Sequence, residues 1–223
     1  MKIYKYNTLK STNDTAKEIL EENAVITADE QTAGKGRHGK SFFSPKGGIY
    51  MSIITKTDSL ESLTLSAKTA VAVCRAIINL TDKKPEIKWI NDIYIENEKV
   101  GGILIEGFRG YAIVGIGINL IKQDFPDNIE AVSLDSDIEK EKLILEIAEQ
   151  FSKIINDKTF ISDYKSLSNI IGKDIFVYET YKSNHKYKAT VIDISDIGEL
   201  IINTENQIKI LNSTRVTIRK VTL

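Results

Sequence analysis

A chain of 223 residues with 42% hydrophobic content can bury a full core, with room for one large domain and a small one. Its net charge of −1 exerts no global pull on nucleic acid or on an acidic membrane. No apolar run reaches the roughly 18 to 20 residues of a membrane span, and Met1-Lys2-Ile3-Tyr4-Lys5-Tyr6 lacks the apolar core of a signal peptide, so a cytoplasmic location is expected.

In chain order, Ser11-Thr12-Asn13-Asp14 offers N-cap chemistry ahead of a helix carrying Ala16, Ile19 and Leu20 on one face. Val25 to Ala28 reads as a strand. It leads into Gly34-Lys35-Gly36-Arg37-His38-Gly39-Lys40-Ser41, which packs three glycines and three permanent cations into eight residues. That spacing satisfies both the dinucleotide fingerprint G-x-G-x-x-G and the P-loop pattern G-x-x-x-x-G-K-[ST]. Both templates need a helix directly after the glycines, whose first-turn N–H groups complete the phosphate site. Here Pro45 and the pair Gly47-Gly48 oppose a helix, and Ile49 to Ile54 then reads as a strand. The loop is therefore expected between two strands, as a long mobile cover that orders over its ligand.

Gln31 through Thr57 holds Lys35, Arg37, Lys40, Lys46 and Lys56 with no Asp or Glu. Charge alone leaves a solvated surface loop and a small-anion site equally open. Three glycines within six residues favour the anion site, because an ordinary solvated loop has no need of so much positive-φ freedom.

A long helix is expected from Ser62 to Leu80, with the lone Cys74 packed inside it, followed by strands at Ile87–Ile90, Val100–Glu106 and Tyr111–Ile118. Leu143, Ile144, Ile147, Ala148, Phe151, Ile154 and Ile155 form one stripe of a helix over Glu139–Asn156, and a short helix at Phe160–Ser168 closes the first domain. Beyond Gly172 come short β-rich runs at Asp174–Glu179, Tyr187–Ile194, Glu199–Asn203, Gln207–Leu211 and Thr214–Val221, the spacing of a small barrel. The division expected is 1–171 and 172–223.

Outside the loop, the chemistry gathers at strand ends. In Lys88-Trp89-Ile90-Asn91-Asp92, Asp92 can hold a divalent cation and Lys88 a phosphate, or the two can form a cross-strand salt bridge; both readings stay open. Lys99-Val100-Gly101-Gly102 starts a strand with a lysine and a glycine pair, which marks either a close backbone approach to a ligand or a turn with an exposed lysine. Gly115-Ile116-Gly117-Ile118-Asn119 ends a strand on an amide able to read a base, a weak signal by itself.

Together with Ser11-Thr12-Asn13, Gln31 and the basic loop, these segments, extended to Ile103-Leu104-Ile105-Glu106, resemble a bacterial biotin protein ligase of the type without a DNA-binding domain, over nearly the whole chain. The resemblance implies an α+β fold, a mixed sheet flanked by helices with a small C-terminal SH3-like barrel. It implies synthesis of biotinyl-5′-AMP from biotin and MgATP, then transfer of biotin to one lysine of a biotin carboxyl carrier domain. It places Ser11, Thr12, Asn13, Gln31 and Gly34 at biotin, with Gly102 and Leu104 offering backbone. Arg37 and Lys99 fall where the biotin carboxylate meets the α-phosphate, and Lys88 joins them as a catalytic cation. Lys35, Gly36, Arg37, His38, Gly39, Lys40, Phe42, Asn91, Asn119 and Arg219 fall to the nucleotide, and Asp92 to Mg²⁺.

This assignment is physically coherent, because joining a carboxylate to a triphosphate requires cations at the junction and exclusion of water from the mixed anhydride. No covalent enzyme intermediate is needed. His38 is read as a solvated spacer, and His185 as without a role. Three departures from the family pattern stand out: Lys35 and Lys40 replace arginines, Ile90 replaces a proline, and Phe42 replaces a tryptophan while keeping an aromatic face. With ten residues before Ser11, a helix-turn-helix domain there is not expected, nor is DNA or a membrane as a partner; a homodimer stays open. The alternatives are a lipoate-type ligase of the same fold, whose Arg-Arg-x-Ser-Gly-Gly-Gly signature is missing, a P-loop nucleotide hydrolase, and a non-catalytic binding module.

Overall fold

A computed structural model describes residues 1–56, 62–179, 186–205, 207–213 and 216–220. The N-terminal part is built on one mixed sheet. Its strands are β1 (Ile3–Leu9), β2 (Val25–Gln31), β3 (Ile49–Lys56), β4 (Glu86–Lys88), β5 (Asp92–Ile95), β6 (Glu98–Phe108) and β7 (Tyr111–Ile118), in the spatial order β1-β2-β3-β7-β6-β5-β4. β1 and β2 are parallel and every other neighbouring pair is antiparallel.

Helices cover both faces. Helix α1 (Thr12–Ile19) lies on one face, where Ala16 packs with Ile26, Ile54 and Ile113. Helices α2 (Ser62–Leu80), α3 (Lys140–Ile154) and α4 (Phe160–Leu167) lie on the other, over the larger core. β3 and β7 are therefore buried on both faces, which explains their nearly continuous apolar sequence. The stretch Leu63–Leu80 of α2 has a mean hydropathy of 1.4, apolar and long enough to cross a membrane by composition, yet two thirds of it is buried inside the protein against the sheet, α3 and α4. Cys74 lies at its centre, fully buried.

A second sheet of β8 (Asp174–Glu179), β9 (Lys186–Ile194), β10 (Leu200–Asn203), β11 (Ile208–Leu211) and β12 (Val216–Lys220) is antiparallel throughout, in the order β11-β10-β9-β8-β12, as an SH3-like domain requires. His185, Thr214 and Val221 lie outside the described residues. The turn before β10 is bound to the N-terminal part: Trp89 Nε1, in the β4–β5 turn, donates to Gly198 O at 2.8 Å, and Thr64 Oγ1, in α2, donates to Ile197 O at 3.1 Å.

Sequence reading located every helix and most strands, and missed β1 and β5. β1 is an edge strand with every residue half-buried or exposed, so it carries no clean apolar alternation. β5 has four residues and turns into β6 through Glu96 and Asn97 at φ 51° and 66°, a two-residue hairpin turn without the glycine that normally announces one. Ser11 is the N-cap residue of α1, but its side chain makes no capping hydrogen bond.

Candidate active site

The register of the sheet builds the floor of the site on the face that carries α1. Asp92, Gly102, Gly117 and Tyr50 align in one row across β5, β6, β7 and β3; Leu104, Gly115 and Ser52 align in the next, and Glu106, Ile113 and Ile54 in the third. Three glycines in two adjacent rows leave the sheet without side chains of its own there, so other elements can pack directly on its backbone. Above it lies a cavity of about 1350 Å³, walled by the start of α1, the basic loop, the β4–β5 turn and β12.

The glycines are there because neighbours approach closely. A Cβ at Gly115 would stand 2.5 Å from Asn13 Oδ1, and one at Gly117 would stand 2.5 Å from the Phe42 ring. Phe42 thus folds over the floor with its ring edge-on to Tyr50, centroids 6.4 Å apart. Gly101, whose Cβ would meet Gly117 O at 2.6 Å, lies beside the bulge where β6 pairs with β5, so this glycine marks a bulge and the close approach of the neighbouring strand.

One end of the cavity is closed by a polar network. Gln31 Oε1 accepts from the Thr12 backbone N–H at 2.8 Å and lies 3.2 Å from Thr12 Oγ1, while Gln31 Nε2 donates to Ser44 Oγ at 3.0 Å. Behind them Ser52 Oγ lies 2.8 Å from Thr12 Oγ1 and 2.6 Å from Asn13 Oδ1, and Asn13 Nδ2 donates to Glu106 at 2.7 Å. Ser11, Thr12, Asn13 and Ser52 are all buried. Satisfied polar groups in such a setting hold fixed orientations, which suits recognition of a neutral polar ring.

The basic loop is a closed hairpin. Lys35 and Ser41 pair as an antiparallel bridge, Gly36 N–H donates to Lys40 O at 2.7 Å, and Phe42 N–H donates to Gly34 O at 2.8 Å. Its tip, Arg37–Gly39, is a single 3₁₀ turn with His38 at φ 56° and Gly39 at φ 73°, and no helix follows Ser41. The P-loop reading thus loses the helix it depends on. Arg37 reaches across the cavity mouth, donating to Asn91 Oδ1 at 3.1 Å and to Ser213 O at 2.7 Å, so one side chain joins the loop, the β4–β5 turn and the turn after β11. Burial lowers its pKa, and the nearby Asp92 opposes the shift. Burial, then Arg37 and Lys40, lower that of His38. Lys35 pairs with Asp14 at 2.6 Å.

Lys99 Nζ binds Asp92 Oδ1 at 2.6 Å, so the cation that pairs with Asp92 is Lys99; Lys88 instead donates to Tyr94 Oη at 3.1 Å. No group of three His, Cys, Asp or Glu side chains arranged to hold a metal occurs among the described residues, and the carboxylates lining the cavity are Asp92 and Glu130. That set fits Mg²⁺ only when phosphate oxygens and water complete its octahedron, the usual arrangement for this ion.

The structure brings Ser11, Thr12, Asn13, Gln31, Lys35, Gly36, Arg37, His38, Lys40, Phe42, Lys88, Asn91, Asp92, Lys99, Gly102, Leu104 and Arg219 to the cavity wall. It does not bring Gly34, Gly39 or Asn119 there. Gly34 lies behind the wall, where a Cβ would meet Phe42 O and Ser44 Oγ, each at 2.5 Å. Asn119 is buried, with Nδ2 donating to Val132 O at 3.1 Å. Arg219 stacks its guanidinium 5.5 Å from the Tyr178 ring centre. Sequence reading passed over Tyr94, Asn128 and Glu130, which also line the cavity, since nothing in their local sequence sets them apart.

Comparison with known proteins agrees with this geometry. The sequence matches the biotin/lipoate A/B protein ligase family over residues 5–122, more than half of the chain. It is 39% identical over 145 residues to the bifunctional ligase/repressor BirA of Bacillus subtilis, covering 57% of this chain and 44% of that protein. It is 24% identical over 198 residues to the biotin–[acetyl-CoA-carboxylase] ligase of Mycobacterium tuberculosis, covering 82% of this chain and 74% of that one. The chain thus spans less than half the length of the Bacillus relative it matches. Its structure resembles the biotin protein ligase of Aquifex aeolicus solved with biotin and ATP, at a TM-score of 0.89 and 25% identity over 99% of both chains. With the glycine-floored sheet, the closed polar end and the basic hairpin arranged as described, the chain belongs to the biotin/lipoate A/B protein ligase family.

Proposed function

We propose that this protein is an ATP-dependent biotin–protein ligase, with residues 1–171 forming the catalytic domain and 172–223 a small accessory one. It converts biotin to biotinyl-5′-AMP and passes the biotinyl group to a lysine of a biotin carboxyl carrier domain in the cytoplasm. The observation that carries this reading is the order of groups along one cavity: a neutral polar end at Thr12 and Gln31, a glycine floor under Asn13 and the Phe42 ring, then two cations, Lys99 and Arg37, at the mouth. That order suits an extended acid with a polar ring at one end and a carboxylate at the other.

In the first step a biotin carboxylate oxygen attacks the α-phosphorus of ATP, and the bond to the bridging oxygen breaks to release pyrophosphate. Lys99 leaves Asp92 to meet the carboxylate and phosphate, while the Arg37 guanidinium offers paired donors to the same junction. Bound Mg²⁺ would lower the charge on the departing pyrophosphate, held on the protein side by Asp92. In the second step the acceptor lysine amine attacks the acyl carbon, AMP departs, and the amine loses a proton. No protein nucleophile takes part, in keeping with the full burial of Cys74. The hairpin and Phe42 keep water from the anhydride between the two steps.

The test is transfer itself. The purified protein, biotin, MgATP and a biotin carboxyl carrier domain should give a streptavidin-reactive acceptor that disappears when the acceptor lysine is changed to arginine. Absence of labelling under these conditions, with the protein folded, would refute the reading.

A further inference from the structure

The hydrogen-bond network behind the closed end has a direction, and a single ion pair sets it. Glu106 is a carboxylate and can only accept. One of its oxygens takes Asn13 Nδ2–H and the other takes Lys17 Nζ, each at 2.7 Å. Asn13 must therefore turn its carbonyl oxygen toward Ser52, 2.6 Å away. Ser52 has one hydroxyl hydrogen, and the amide oxygen cannot donate, so that hydrogen goes to Asn13. The Thr12 hydroxyl then supplies the hydrogen for its 2.8 Å contact with Ser52, which would otherwise bring two oxygens together with no hydrogen between them, in preference to the longer 3.2 Å approach to Gln31 Oε1. With its hydrogen turned away, the Thr12 oxygen faces the cavity as an acceptor.

At the other end of the chain, Ser44 donates to Phe42 O at 2.8 Å, so it must accept from Gln31 Nε2. Gln31 thus keeps one amide hydrogen free of this network. The closed end presents an acceptor beside a donor, the complement of a cyclic urea. A ligand ring without an N–H would leave the buried Thr12 acceptor unpaired, and such a mismatch is how a polar site rejects an analogue.

We propose that the Lys17–Glu106 ion pair, which touches no ligand, is a positioning and specificity pair: it fixes the Asn13 amide and, through Ser52, makes Thr12 an acceptor for a urea N–H. Glu106 occupies the sheet row next to Leu104, Gly115 and Ser52, and Lys17 follows Asn13 by one helical turn, so both are placed by the fold itself. Lys17 also lies 3.7 Å from Asp14, which binds Lys35 of the basic hairpin, so charge alternates along one face from hairpin to network. The head-group half of the proposal rests on the biotin reading above; the orientation of the network does not.

The test uses Glu106→Gln, Lys17→Met and both together. In Glu106→Gln the single carbonyl oxygen goes to the cationic Lys17, the amide nitrogen faces Asn13, and the Asn13 amide reverses. Adding Lys17→Met frees that oxygen to return to Asn13 and restores the direction. Glu106→Gln is expected to raise KM for biotin about tenfold and to narrow the preference for biotin over lipoate, with kcat and KM for ATP within about twofold of wild type. The double variant should recover most of the loss, and Lys17→Met alone should keep KM for biotin within about threefold. A merely structural pair would instead lose melting temperature and activity together, with the double variant the worst.

In the ligand-free protein, the Asn13 side-chain amide resonances should shift in Glu106→Gln and return in the double variant. A wild-type KM for biotin in Glu106→Gln, or a double variant no better than the single one, overturns the proposal. Should Glu106→Gln not fold, the double variant decides: near-wild-type biotin affinity supports the pair's role, and a tenfold loss refutes it. A wild-type protein with no affinity for biotin refutes the head-group half along with the functional reading, while the amide resonances still decide the network.

Discussion

Lys99 Nζ sits 2.6 Å from Asp92 Oδ1, and the two flank Gly102, where a Cβ would lie 3.6 Å from the amine and 3.5 Å from the carboxylate. The pair is about 30% and 28% exposed, so it is held less tightly than a buried ion pair, and an incoming anion can displace Asp92. Lys99→Ala should lower biotin-dependent adenylation on the order of 10²- to 10³-fold, the cost of losing one preorganised charge at a developing anion. Unchanged initial rates would remove Lys99 from the reaction. Asp92→Asn should raise the Mg²⁺ concentration giving half-maximal rate, while a variant with unaltered Mg²⁺ dependence would exclude Asp92 as a metal contact.

Arg37 hydrogen-bonds both Asn91 and Ser213 O, in the turn after β11, and so ties the hairpin to two other segments. Arg37→Gly should let the adenylate escape before transfer. The expected signature is biotinylation of lysines on a bystander protein, detected with streptavidin, together with weaker protection of the hairpin from trypsin when biotin and ATP are added. Labelling confined to the carrier domain would contradict this.

The floor at Gly115 has no slack, because the Asn13 side chain above it is hydrogen-bonded at both ends and cannot retreat. Gly115→Ala should therefore cost about 1 to 3 kcal/mol of stability by overpacking and weaken biotin binding as well. Calorimetric melting and titration would measure the two effects. A variant with native melting temperature and native affinity would mean that Asn13 can move freely.

Cys74 is completely buried, and burial alone pushes its thiol far above the ordinary range. Iodoacetamide at neutral pH should leave the native protein unlabelled and fully active, and should label it only after denaturation. Rapid native labelling with loss of activity would place a reactive thiol where the structure has a packing group.

The fold was legible wherever periodicity was strong. The apolar stretch of α2, the buried strands β3 and β7 and the stripe of α3 follow directly from their residues, while β1 and β5 are short or exposed and lean on their neighbours. At the cavity wall the basic hairpin, Lys99 and Gly102 stand out in the sequence by their glycines and charges, while Gln31 is placed there only by the family resemblance. Asn119 donates its amide to Val132 O across a loop, a contact that no local sequence pattern announces. Glu106 closes the segment from Lys99, and the sequence alone gives it no task. The signal was present in the period of two, which puts Gly102, Leu104 and Glu106 on one face of β6, but only the sheet register shows that this face meets Asn13.

The central claim, that the cavity binds biotin and ATP together and joins them, is tested most directly by Mg²⁺-dependent exchange of labelled pyrophosphate into ATP, run with biotin, with lipoate and with neither acid. Exchange that appears only with biotin is the predicted result. Exchange with lipoate alone would keep the chemistry and change the substrate, and ATP hydrolysis with neither acid, in place of exchange, would contradict the account.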